Sequence, residues 1–472
     1  MYSPSHPHLA HFEELAPRFD AQRRKQRYYY EQLTRWLRYV VPEGGSVLEL
    51  GCADGGTLMA LKPSNAVGID FSPCFLRMAS ERYPEGRWIL HDMTQPIPPI
   101  AGSFNAVLAL DLLGYLQDIQ GAMQEVSKVC NADTRLIVTK TNPFWGPIFR
   151  LASVFGLAEP RRYSNWLTKP QAKSLLELAG FDVVQSGKFC LLPVYIPLVS
   201  AFFNRALAHL PLLNRLALVE YFVCRKRVEA TGATPSVSVV IPARNERGNI
   251  RPALERMPRF PGALEVIFVE GHSKDGTWEE IQKVMQESWP FQVRAFQQTG
   301  KGKGDAVRVG FAEAKNDLLM ILDADLTVPP EELPRFYEVL ADRRAEYVHG
   351  TRLVYPMEDQ AMRPLNWMGN KFFSAVFSLF LGQRMSDTLC GTKCLWRSAY
   401  ERLAANRSYF GDFDPFGDFD LIFGAAKLQL KIMEIPMHYK NRTYGETQIN
   451  RFRDGWLLLK MCWFAARKIY FL

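Results

Sequence analysis

Two aspartates separated by one residue, Asp323 and Asp325, follow the apolar run Leu318-Leu319-Met320-Ile321-Leu322. Carboxylates at i and i+2 just beyond so apolar a segment are costly to desolvate unless they meet cations or water. A magnesium or manganese ion bridging them to a diphosphate would supply that partner. Two other apolar runs end in polar groups in the same way. Val237 to Ile241 leads into Pro242-Ala243-Arg244-Asn245-Glu246, and Glu265 to Val269 delivers Glu270 ahead of Gly271-His272-Ser273-Lys274-Asp275-Gly276-Thr277.

The first half holds a different constellation. Val47-Leu48-Glu49-Leu50 runs into Gly51-Cys52-Ala53-Asp54-Gly55-Gly56, a strand followed by a glycine-rich turn that lets a ligand approach backbone. About 20 residues on, Ala66-Val67-Gly68-Ile69 ends in Asp70, an acid suitably placed to accept hydrogen bonds from two ribose hydroxyls. Asp92, after Trp88-Ile89-Leu90, could take an adenine amino group. A dinucleotide site wants Gly-x-Gly-x-x-Gly, which this turn fails at its third position, Ala53. Helix caps and turns remain the bland alternative for any single one of these acids.

Together these first-half residues resemble the class I S-adenosylmethionine-dependent methyltransferases, over about residues 25–228. The resemblance implies that Glu49, Gly51 and Gly55 form the loop beside the methionine moiety, that Asp70 holds ribose and that Asp92 faces adenine. Ala53 stands where the family often has glycine, and Asn105 and Tyr115 replace a common Asp and His. Methyl transfer is an in-line displacement on a sulfonium, so positioning supplies much of the catalysis. Neither a base nor the methyl acceptor is legible, and a degenerate domain serving as a binding or scaffold module stays open.

From about Pro235 onward the chain resembles the family 2 glycosyltransferases of the GT-A fold, in particular the polyprenyl-phosphate (dolichyl-phosphate) mannosyl- and glucosyltransferases. By that resemblance Pro242, Arg244, Glu246 and Glu270 line the nucleotide pocket, and Lys301-Gly302-Lys303-Gly304 lies near the nucleotide. Asp323 and Asp325 become the metal-binding Asp-x-Asp. Glu270 stands where many relatives have Asp, and Thr327 where mannosyl members often have Gln. Gly350-Thr351-Arg352, Ser386-Asp387-Thr388-Leu389-Cys390-Gly391, Gly417-Asp418-Phe419-Asp420, and Arg442 with Gly445-Glu446-Thr447 continue the match in order. Transfer would invert the anomeric centre.

The acceptor sets what these residues must do. A saccharide hydroxyl needs a base to take its proton, which would fall to Asp418 or Asp420. A lipid monophosphate already carries about 1.5 to 2 negative charges and can attack unaided. It needs cations instead, for which Arg352, Arg363 and Arg442 are candidates.

Such loops require strands that end on one edge. Both halves alternate strand-like apolar runs with helical stretches, the pattern of mostly parallel sheets covered on both faces, with ligands at the carboxyl ends of the strands. The expected fold is therefore α/β, with two doubly wound domains. A Rossmann-like methyltransferase domain spans residues 1–230 and a GT-A domain residues 235–472, with the turn-rich Val228 to Pro235 as linker. A chain of 472 residues with 47% hydrophobic residues suffices for two cores.

The formal net charge is +8, and between Lys431 and Leu472 eight basic residues face three acidic ones. Trp367 to Leu381 and Trp456 to Leu472 are aromatic and apolar with interleaved Lys and Arg, so they suit either interfacial helices or packing on the core. Phe189 to Val223, apolar but broken by Pro193, Pro197 and Pro211, reads as a cap over the methyl-acceptor pocket or as a membrane-dipping segment. No nucleic-acid recognition motif accompanies the basic residues, so nucleic acid is not an expected partner. Eight scattered cysteines read as reduced core thiols. The polar N-terminus has no signal-peptide core, and the expected place is the cytoplasm, peripheral on the cytoplasmic face of a membrane.

Overall fold

The computed structural model describes residues 8–155, 165–230, 232–355, 364–383, 385–407, 419–442, 444 and 451–465. Contacts divide the chain into two compact units, and it passes from one to the other at Arg227–Val228. Each unit is built on a seven-stranded sheet.

The first sheet comprises β1 (Ser46–Leu50), β2 (Asn65–Asp70), β3 (Arg87–Leu90), β4 (Ala106–Leu110), β5 (Arg135–Thr141), β6 (Phe181–Phe189) and β7 (Val219–Lys226). Their order is β3-β2-β1-β4-β5-β7-β6. Only β7 runs antiparallel to its neighbours, β5 and β6. The strands are apolar on both faces because both are covered. Leu48, Leu50, Val107 and Val138 face a core completed by Met123 and Val126 of helix Ile119–Val129 and Leu176 of helix Lys169–Leu178. Val47, Leu108 and Ile137 face the opposite core, closed by Leu33, Leu37 and Val40 of helix Arg27–Val40. This is the Rossmann-like methyltransferase fold.

The second sheet comprises β8 (Val237–Ala243), β9 (Leu264–Glu270), β10 (Gln292–Gln297), β11 (Leu318–Ile321), β12 (Tyr347–Thr351), β13 (Lys393–Trp396) and β14 (Ile432–Pro436). The order is β10-β9-β8-β11-β13-β12-β14, with β13 antiparallel to both β11 and β12. Val239, Ile241, Phe268, Met320 and Leu322 pack with Ile250, Ile281 and Phe336 from three helices on one face. This mixed sheet is the GT-A fold. In each sheet the order reverses beside the first strand, between β1 and β4 and between β8 and β11. A crevice forms at such a reversal, outside the carboxyl ends of the strands.

The far side of the second sheet hangs on a buried ion pair. Asp387, fully enclosed, accepts from Arg352 Nε at 2.7 Å and Nη2 at 2.9 Å, from Asn370 Nδ2 at 2.8 Å and from the backbone of Leu389. It thereby ties the end of β12 to helix Pro364–Leu381 and to the loop before β13. Removing one member of such a pair leaves a buried charge alone, at a cost of about 3–5 kcal/mol. Asp387→Ala is expected to lower the melting temperature of the second unit by roughly 10 °C, read by calorimetry, while the first unit's transition stays in place.

Candidate functional site

In the first unit the glycine-rich turn is bonded to β2. Gly51 N and Cys52 N donate to Ile69 O at 2.8 and 3.0 Å, and Ala53 N donates to Asp70 Oδ2 at 2.9 Å. Asp70 Oδ1 accepts from Ser72 N, so the predicted ribose acid also holds the turn in shape. Ala53 has φ +45°, a region that glycine occupies without steric cost, which explains why glycine suits this position. Gly55, at φ +70°, lies against the Trp88 ring, and a Cβ there would collide with it. Asp92 is near the surface and accepts from Thr94 N at 2.9 Å. Asn105 has a structural task, since its Oδ1 accepts from Ser46 N and joins β4 to β1.

Glu49 is buried, and its Oε2 has no hydrogen-bond partner. Burial pushes its carboxyl up to about 8, against the pull of Arg23 and with the help of Asp54 and Asp70. Burial likewise raises Asp70 to about 6, although the backbone of Ser72 and Ala53 works against it. A buried acceptor with nothing to accept, beside a turn open to a ligand, fits a cationic group such as the ammonium or sulfonium of S-adenosylmethionine.

The sequence reading missed the segment that closes over this turn. Arg23 Nη1 reaches Asp54 Oδ1 at 2.7 Å, Arg82 grips the other Asp54 oxygen at 2.6 Å, and Glu13 accepts from Ser72 Oγ at 2.5 Å. Tyr115 packs edge-on against Phe12. These partners lie tens of residues from the motif and carry no spacing signal.

In the second unit the loops after β8 and β9 interlock. Asn245 N donates to Ser273 Oγ, Glu246 N to Thr277 Oγ1 and Lys274 N to Asn245 Oδ1. Glu246 is raised by burial, in spite of its bond from Asn249 and the charge of Arg442. Glu270 experiences burial too, but hydrogen bonds from Ser273 and Gln297 bring it below its ordinary value. Pro242 is half-buried in β8, whereas Arg244 and Lys301 are exposed.

Asp323 and Asp325 each meet a cation from another element. Lys303, at the start of helix Lys303–Glu313, lies 2.6 Å from Asp323 Oδ1. Burial works against the charge of Asp323, yet Lys303, Lys393 and Arg352 hold its carboxyl below the usual range. Arg442 spans Asp325 Oδ2 at 2.7 Å and Glu246 Oε1 at 3.0 Å, linking the ends of β11 and β8. Thr327 gives both its N–H and its hydroxyl to Asp325 Oδ1. Gly391 approaches so closely that a Cβ would overlap Asp323 and Lys303 Nζ. Among the described residues no cluster of three or more acidic, histidine or cysteine side chains could hold a metal. A divalent ion held by the two aspartates would therefore draw its other oxygens from ligand or water, as magnesium usually does.

Not all predicted residues join this group. Arg352 is forked onto Asp387. Asp420 is engaged by Arg407 at 2.9 Å and Arg308 at 3.4 Å. Asp418, Arg363, Gly417 and Gly445-Glu446-Thr447 lie outside the described residues. All eight cysteines are free, seven of them buried.

The two folds and their strand-end sites thus define a pair of transferase-type domains, one methyltransferase and one glycosyltransferase. Residues 21–186 match the family model for a methyltransferase domain and residues 238–406 that for glycosyl transferase family 2; the chain carries both domains. The low-salt glycan biosynthesis hexosyltransferase Agl6 of Haloferax volcanii is 28% identical over 225 residues, 47% of this chain and 52% of that protein. A dolichol-phosphate mannosyltransferase of Pyrococcus furiosus is 36% identical over 223 residues, 45% of this chain and 59% of its own. The chain spans about half the length of the curated relatives it matches. A solved S-adenosylmethionine-dependent methyltransferase from Thermotoga maritima is similar over 46% of this chain and 99% of its own, at 15% identity and a TM-score of 0.37.

A cation brought beside Glu49 favours its ionised form. Binding of S-adenosylmethionine is therefore expected to release a proton and to tighten as pH rises towards about 8. Calorimetry in buffers of different ionisation enthalpy reads the proton, and Glu49→Gln should abolish both effects. Without ligand the sign reverses. A carboxyl raised in the folded state contributes stability below its unfolded value, and that stability is lost as pH climbs through about 8.

Proposed function

We propose that this chain is a bifunctional enzyme. Its second domain transfers a hexose from a nucleotide-sugar to a polyprenyl (dolichyl-type) phosphate with inversion. Its first transfers a methyl group from S-adenosylmethionine to an acceptor the site does not specify.

The observation that carries the choice of acceptor is the pairing of Asp420. This acid, a candidate base for a hydroxyl acceptor, is 8% exposed and held by two arginines. Its Oδ2 already receives both guanidinium groups, so this oxygen is turned to protein donors and not to an incoming hydroxyl. A phosphate oxygen needs no base. It attacks the anomeric carbon as the bond to the leaving nucleoside diphosphate breaks, and a single in-line displacement inverts that centre. The names of the relatives point the same way, since two dolichol-phosphate mannosyltransferases match this half at 36–37% identity.

Asp323 and Asp325 would hold magnesium or manganese, whose charge would offset that developing on the leaving diphosphate. Glu246, Glu270, Pro242, Arg244 and Lys301 border the nucleotide. Lys303 and Arg442 neutralise the two aspartates and are the cations that incoming phosphate oxygens would meet; Arg352 positions the β12 end through Asp387.

A lipid acceptor asks for a membrane surface. Among the described residues no helix is long and apolar enough to cross one. Helices Pro364–Leu381 and Arg451–Ala465 bury Phe373, Phe377, Leu458 and Met461 while exposing Met368, Phe372, Trp456, Leu459 and Trp463. Lys371 and Lys460 lie among the exposed side chains. One face of each helix thus serves the core, and the other suits an interface with snorkelling cations, on the cytoplasmic side of a membrane.

A screen of radiolabelled nucleotide-sugars with magnesium and added polyprenyl phosphate tests the reading. Label is expected in an organic-extractable, mild-acid-labile product, reduced roughly 100-fold or more in Asp325→Ala. Label confined to saccharide, or released as free sugar, overturns it. Asp420→Asn is expected to retain most of the transfer, whereas a hydroxyl acceptor activated by Asp420 would lose nearly all of it.

A further inference from the structure

The first unit carries an apolar surface that the site chemistry does not use. Beyond β5, helix Gly146–Val154 exposes Ile148, Leu151 and Val154, the last at 80%. Between β6 and β7, Val194, Tyr195, Leu198, Phe202, Leu210 and Leu212 are exposed, with Leu198 at 88% and Leu212 at 75%. The two segments form one body. Asn142 Nδ2 donates to Arg215 O and Ala217 O, Trp145 Nε1 donates to Leu216 O, and Trp145 and Phe149 pack with Cys190, Leu218 and Val219. Asn204 pins the remainder by exchanging hydrogen bonds with the backbone of Leu192. Large side chains held outward on a framework tied by these hydrogen bonds differ from singly scattered apolar exposure.

Its place and charge indicate what covers it. β6 and β5 both run antiparallel to β7, so they are parallel to each other. Both segments therefore leave the sheet at its carboxyl edge, where Gly51, Asp70 and Asp111 also lie. From Val183 to Val219 there is no acidic residue, while Lys188, Arg205 and Arg215 are present; helix Gly146–Val154 has Arg150 as its one charged residue. Arg150, Arg205 and Arg215 are exposed among the apolar side chains. These two described segments, which expose Leu, Val, Tyr and Phe beside arginines and carry no acid of their own, are complementary to an anionic bilayer, in which apolar side chains enter the acyl boundary and cations meet headgroups.

We propose that this face of the methyltransferase domain docks on anionic membrane and opens the carboxyl edge of its sheet towards the lipid. Docking by this face requires neither the acceptor of the glycosyltransferase domain nor the exposed helices of that domain.

The test places an environment-sensitive fluorophore on Leu198→Cys in the full chain, with the half-buried Cys74 replaced by Ser and with Met368→Glu, Phe372→Glu, Trp456→Glu and Trp463→Glu charging the exposed helices of the second unit. Vesicles of phosphatidylcholine with phosphatidylglycerol are expected to shift the emission to the blue, and brominated acyl chains to quench it. Leu212→Glu should weaken vesicle partitioning roughly tenfold while leaving thermal unfolding unchanged. An unresponsive label overturns the proposal, as does an equal response to pure phosphatidylcholine. A shift that grows with protein concentration in the absence of vesicles assigns the face to a second copy of the chain and overturns it too. Sugar transfer to detergent-dispersed polyprenyl phosphate, measured on the same variants, reports independently on the glycosyltransferase reading.

Discussion

A carboxylate at the dry end of a buried strand must find a positive partner or give up its charge. Both halves of the chain are organised around that constraint and meet it differently. In the second unit protein cations supply the partner, with Lys303 on Asp323 and Arg442 across Asp325 and Glu246. In the first, Arg23 is spent on Asp54, and Glu49 is left with an unbonded oxygen and a carboxyl pushed up to about 8. One crevice thus meets its acids with protein cations. The other is short of a cation.

The sheets explain why the acids gather. Parallel strands covered on both faces must be apolar along their length, so polar side chains collect where the strands stop. A reversal of strand order beside the first strand parts the neighbouring loops and leaves a crevice there. β1 and β2 place Glu49 and Asp70 at one such point; β8, β9 and β11 place Glu246, Glu270 and Asp323 at the other.

Much of this was legible in the sequence, because strand and following turn are local. The apolar runs, the Gly51 to Gly56 turn, the acids after each strand and the two α/β patterns are all read within a few residues. What escaped depends on distant partners. Nothing near Arg352 announces Asp387, 35 residues on, and Arg23 meets Asp54 across 31 residues. The motifs around Arg352 and Asp420 suggest chemistry, yet each residue is also bound up in ion pairs that local spacing does not encode. Ala53 is the converse case. It departs from a glycine pattern, and its left-handed backbone conformation shows that the turn keeps its shape at some steric cost.

Arg442 lies 117 residues beyond Asp325 and 196 beyond Glu246. Because a chain emerges from its N-terminus, every strand that bears these acids is synthesised well before the guanidinium that reconciles them. Until then the ends of β8 and β11 repel one another, and the crevice between them has reason to stay hydrated and open. The counter-charge is therefore among the last parts of this edge to be made. The sheet can form early, but its carboxyl edge gains this bridge only when the segment bearing Arg442 has folded back across it.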